Sequence, residues 1–141
     1  MILLHLNYLA VIVCAIIYFA IGGMWFSPML FANTWMEGHG ITMPTDDVAK
    51  AAMRKQMPRQ MAITFLVCLI ATMGLAYLAT ATYANSWMTG AKLGIIAGVF
   101  ATISIGLSHM YTRKSFKTFA IDAAYHIVSL FIVGIILGVW R

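Results

Sequence analysis

The chain has 141 residues, 62% of them hydrophobic and 9% charged, against about 25% charged in an ordinary soluble domain. One soluble core of this length cannot hide so much apolar side chain, and the same excess excludes disorder. The formal charge of +5 comes from Lys and Arg clustered between long charge-free intervals, a pattern of membrane topology and not of nucleic-acid binding.

A helix needs about 20 mostly apolar residues to cross the hydrocarbon core. The first interval long enough covers residues 6–26. No Lys or Arg precedes its apolar run and no Ala-x-Ala site follows, so it reads as a retained span and not as a signal peptide. Pro28 disfavours helical backbone at Ser27, so this span is expected to end there, with Trp25, Phe26 and Phe31 anchoring the turn at the interface. Cys14 here and Cys68 in the next span lie within apolar runs and read as small hydrophobes.

The connection over residues 27–59 holds Glu37, Asp46 and Asp47, nearly all the acids of the chain. Gly38, Gly40 and Pro44 predict an irregular stretch. Thr45, Asp46 and Asp47 then read as the start of a short amphipathic cytoplasmic helix that ends near Lys50, Arg54 and Lys55 and rests on anionic lipid. His5 and His39 are expected to be solvated at the interface.

The second span is expected over residues 60–80, the third over 93–111 and the fourth over 118–140. The run from Ala62 to Ala71 lacks the alternating polarity of a barrel strand. Helices in lipid pack through small residues, so Gly90, Gly94 and Gly98 mark the protein-facing side of the third span, which His109 shares. Gly134 and Gly138 mark another such face on the fourth span, on a different side from Asp122, His126 and Ser129. The fold expected is an all-α integral membrane four-helix bundle in one domain.

Asp122 is the only formal acid inside a span, and His126 four residues later is its neighbour on the helix. A short connection brings His109 near both, so the three are expected to meet at the cytoplasmic end, with Asp122 and His126 coupled to each other. Asn33, Trp35 and Tyr125 complete a candidate polar pocket on that side, next to the interfacial turn of Trp25, Ser27 and Pro28. The structural alternative is a shallow Asp122 that bonds His126 or the Arg113 and Lys114 turn. His109, Asp122 and His126 offer nitrogen and oxygen ligands for zinc, but no fourth ligand or supporting shell is apparent, so no metal and no cofactor is assigned. No nucleophile–base pair, phosphate loop or HExxH occurs, and enzyme action is not expected.

The first and third connections carry seven Lys and Arg; the middle connection and the C-terminal end carry only Lys92 and Arg141. The positive-inside rule then places both termini on the non-cytoplasmic side. The expected role is that of a proton- or cation-linked transporter or channel component, working as a homo-oligomer in lipid; the alternative is a non-transporting structural or assembly protein. The ligand is not legible.

Leu6-Asn7-Tyr8-Leu9-Ala10, then Gly23-Met24-Trp25-Phe26-Ser27-Pro28 with Leu30, Phe31 and Trp35, then Tyr111-x-Arg113 and Ala124-Tyr125-His126, together resemble the small bacterial membrane proteins grouped as domain of unknown function 1761. This sequence has Ala32 where that family commonly has Gly, and Asp122 where Asn is frequent. The resemblance implies a four-span protein of the bacterial inner membrane and supplies no activity.

Overall fold

A computed structural model describes residues 6–140. Five helices follow in order: α1 (Tyr8–Trp25), α2 (Ala32–His39), α3 (Asp47–Ala81), α4 (Trp87–Tyr111) and α5 (Phe116–Val139). All but α2 are long and apolar enough to cross a membrane. His5 and Arg141 lie outside the described residues.

Polar side chains set the helix starts. The carboxamide of Asn7 accepts from the amide of Ala10, the Asp46 carboxylate from Ala49, the Ser86 hydroxyl from Thr89 and the Ser115 hydroxyl from Thr118, each satisfying a first-turn donor. At the other ends, α2, α3 and α4 stop at left-handed residues: Gly40, Tyr83 and Arg113. The next amide in each case folds back to the helix, as in Ile41 to Met36, Ala84 to Ala79 and Lys114 to His109.

The first connection departs from expectation in two ways. The short helix α2, which was not expected, precedes the irregular stretch, and residues 40–46 are non-helical as expected, while the segment from Asp47 to Arg59 is no separate helix; it is the leading part of α3, which runs unbroken for 35 residues. At 1.5 Å per residue that is about 52 Å, well beyond about 30 Å of hydrocarbon. Pro58 lies inside the helix without ending it. On this solvent-facing part of α3, an unfilled carbonyl can be met by water, which lowers the penalty for proline.

The packing is small inside and large outside. On α4 the buried residues are Gly90, Ala91, Gly94, Gly98, Thr102 and His109, while Ile95, Ile96, Val99, Phe100, Ile103 and Leu107 are exposed. Water would penalise this distribution; lipid accepts it. Helix α4 lies antiparallel on α5 so closely that a Cβ on Gly98 would come 2.8 Å from Cα of Ile127. Gly90 faces the backbone of Gly134 and Gly138, and Gly94 that of Leu130. Both glycine series are therefore spent on one contact within the chain.

Helix α5 is central, with Gly134 and Gly138 against α4 and other faces on α1, α2 and α3. Tyr125, Leu130, Val133 and Leu137 join Ala10, Val11, Cys14 and Tyr18 of α1 and Cys68, Leu75 and Ala76 of α3 in the core.

Candidate functional site

The site lies at the end of the bundle that holds the first and third connections. Helix α1 ends at Trp25, as the proline at position 28 requires within two residues. The chain turns through Ser27, whose carbonyl accepts from the amides of Leu30 and Ala32. Trp25 itself points inward: its Nε1 donates to the carbonyl of Ile121 at 3.1 Å, and its ring stacks near Phe31. The turn is thus bonded to α5 as well as carrying interfacial aromatics.

From this turn α2 folds back across the end of α5. Contact is close enough that a Cβ on Gly38 would collide with the Thr118 hydroxyl, and Thr118 is almost fully buried. Glycine at 38 and the left-handed Gly40 (φ 66°) therefore hold His39 over the bundle.

Asp122 stands about 9 Å inside α5 from Phe116, by helix rise. Its Oδ1 accepts from Trp35 Nε1 at 2.7 Å. Its Oδ2 lies 3.1 Å from His109 Nε2 and 3.9 Å from His39 Nε2. The three side chains are 10–15% exposed and hold every ligand atom within 4.8 Å of the others. Aromatic rings close the surroundings: Trp35 lies over His39 with centroids 4.2 Å apart, Phe26 packs edge-on to Trp35, and Phe119 flanks His109.

Both histidines are oriented by the backbone. His39 Nδ1 donates to the carbonyl of Trp35 at 2.9 Å, and His109 Nδ1 to that of Ile105 at 3.0 Å. A carbonyl only accepts, so each Nδ1 carries the hydrogen, and in the neutral rings each Nε2 presents a lone pair to the acid. Among the described residues His109 Nε2 is buried without a hydrogen bond; although Oδ2 is near, it lies off the ring's N–H axis.

Of the residues expected in the pocket, His109, Asp122 and Trp35 come together. His126 does not join them. Its Nδ1 sits 2.7 Å from the Tyr18 hydroxyl on α1, whereas Asp122 leans toward the start of α5, as helical side chains do, and meets α2 and α4. Asp122 and His126 were expected to be hydrogen-bonded or charge-coupled: the hydrogen bond is absent among the described residues, the carboxylate still acts on the imidazole through its charge, and no ion pair joins Asp122 to Arg113, Lys114 or Lys117 there. Tyr125 is buried, but it packs against Tyr18, Phe26 and His126. Asn33 is exposed, because two residues along a helix turn it about 200° from Trp35.

His39 was expected in solvent and instead replaces His126 in the cluster. The available signal was its spacing of four from Trp35, which stacks the two rings once that segment is helical.

The family model described as "Protein of unknown function (DUF1761)" matches residues 9–138. No curated protein and no solved structure matches the chain. With nearly its whole length covered, including every residue of the His39, His109 and Asp122 cluster, the chain belongs to the DUF1761 family.

Proposed function

We propose that this protein handles a cation at one end of its membrane bundle, as a cation-linked transporter or channel component and not as an enzyme. The carrying observation is Asp122, an acid placed within an apolar helix and set between two histidines with Trp35 fixing its orientation. An ionisable group in a span is costly and is commonly kept for function. Further polar groups support a route inward from it: His126 with Tyr18 one turn deeper, then Ser129 on the next turn, buried without a hydrogen-bond partner among the described residues. Self-association in the bilayer belongs to this reading, since four spans leave little width for a pathway in one chain.

Reconstituted protein should give saturable cation uptake into liposomes, followed with interior dyes for potassium and for divalent cations, with and without a pH gradient. Asp122→Ala should lower that uptake at least tenfold. Uptake of no cation above empty liposomes overturns the transport reading in favour of a structural role, for which the observation is the tying of α2, α4 and α5 together through the same acid.

We also propose that the cluster faces the cytoplasm of a bacterial cell, with both termini on the other side of the inner membrane. Lys50, Arg54, Lys55 and Arg59 on the leading part of α3, Arg113 and Lys114 in the turn between α4 and α5, and Lys117 at the start of α5 all lie at the cluster's end of the bundle, which is the cytoplasmic end by the positive-inside rule. Reporter fusions at the C-terminus should be active only outside the cytoplasm; a cytoplasmic majority reverses the assignment.

A further inference from the structure

We infer that His39, His109 and Asp122 form a binding site for a divalent first-row transition-metal ion, with zinc as the representative. This deepens the cation-handling reading and rests on it only for what the bound ion is used for.

Three independent features point to a metal. First, the donor set is two imidazoles and one carboxylate from three different helices or helix ends, all within 4.8 Å. Two ligands bound at about 2.0–2.1 Å to one tetrahedral ion stand about 3.3–3.4 Å apart. The observed 3.1 Å and 3.9 Å from Asp122 Oδ2 bracket that spacing, while the widest pair of ligand atoms stands at up to 4.8 Å, so binding draws His39 inward by about 1–1.5 Å.

Second, the outer partners of a metal site are already present. Each histidine gives its Nδ1 hydrogen to a backbone carbonyl, the arrangement that fixes Nε2 as the ligand atom, and Trp35 holds the carboxylate's other oxygen. Third, His109 Nε2 is deeply buried and has no hydrogen bond among the described residues. An imidazolium there would aim its N–H at the carboxylate, yet Oδ2 lies off that axis. Oxygen belongs off the axis if an ion sits on it as the common centre.

The chemistry selects the class of ion. One carboxylate is too few hard oxygen ligands for calcium, and magnesium prefers a largely oxygen shell. Cys14 and Cys68 are buried elsewhere in the core, so no thiolate favours copper(I). Two imidazoles with a carboxylate suit zinc, iron(II), cobalt(II) or nickel(II). Three protein ligands leave a coordination position for water or for a group delivered from outside.

The test uses purified full-length protein in detergent, stripped with chelator and titrated with zinc chloride by calorimetry. Cobalt(II) added separately supplies visible absorption bands that report nitrogen and oxygen coordination. One equivalent per chain is expected. Asp122→Asn, which keeps an acceptor for Trp35, and His39→Ala should each weaken binding at least tenfold, and Trp35→Phe by about tenfold through the unheld carboxylate. His126→Ala should leave affinity unchanged. The folded state of each variant is checked by circular dichroism, and His39→Ala, on the outermost helix, serves if the α5 variant unfolds. Absence of saturable one-to-one binding, or full affinity retained in His39→Ala and Asp122→Asn, overturns the site. Zinc binding without liposome uptake defeats the transport reading alone; uptake without zinc binding defeats the metal site alone.

Discussion

Gly94→Leu is expected to cost several kcal/mol of bundle stability. A side chain at Gly94 meets backbone on its whole near side: Cβ would stand 2.9 Å from the carbonyl carbon of Leu130, 3.0 Å from Cα of Phe131 and closer still to the Leu130 oxygen. No rotamer change relieves a backbone clash, so α4 must slide or tilt away from α5. Overpacking costs about 1–3 kcal/mol even for modest insertions. For a chain of this length each kcal/mol moves the melting point by about 2–4 °C, so thermal unfolding in detergent should fall by roughly 5–10 °C. Gly74 provides the control, because nothing among the described residues lies within 4 Å of a Cβ built there. Gly74→Ala should melt at or above the parent, helped by up to about 1 kcal/mol of helix propensity. A Gly94→Leu protein that melts like the parent would show that α4 and α5 are not in close contact at this position.

The membrane helices were legible because lipid imposes a simple requirement on composition and length, and charge-free intervals meet it visibly. The glycine faces were legible for a related reason. Where large side chains gain nothing by turning inward, small residues alone identify the contact, and Gly90, Gly94 and Gly98 indeed meet α5. What the glycine spacing did not contain was the partner, since Gly134 and Gly138 would serve equally well between subunits.

The site was only half legible. His109 and Asp122 could be placed at one end of the bundle from span boundaries and a short connection. His39 could not, because its position depends on α2 turning back over α5, a tertiary event driven by Trp25, Trp35 and the fit of Gly38 on Thr118. Sequence neighbourhood also overstated the Asp122–His126 hydrogen bond, though not the charge coupling. A spacing of four makes a contact available, but Tyr18 on α1 offers His126 a hydroxyl at 2.7 Å, and three partners from other helices compete for Asp122. The continuity of α3 was hidden by Pro58, which commonly ends a helix in solution and here does not.

The last expectation isolates α2 from the rest of the fold. Gly38→Val should detach α2 from α5 while leaving the four long helices assembled. A Cβ at this position would fall on the Thr118 hydroxyl, with Thr118 Cβ at 3.0 Å and Cγ2 at 3.2 Å, and valine adds two methyl groups to that overlap. Thr118 is buried on a helix of the core and cannot retreat, so the short helix moves. Overpacking of about 1–3 kcal/mol, less a few tenths gained when glycine leaves a helix, corresponds to opening of α2 roughly 10–100 times more often. Hydrogen exchange read by mass spectrometry should therefore quicken in the peptide covering Ala32–His39 and stay unchanged in α4 and the second half of α5. Adding Thr118→Gly to Gly38→Val removes every atom in the overlap and should restore protection of α2, although glycine lowers the helix propensity of α5 locally. Unchanged exchange of α2 in Gly38→Val would mean that α2 does not rest on α5 through this contact, and that Trp35 and His39 are held near Asp122 by some other means.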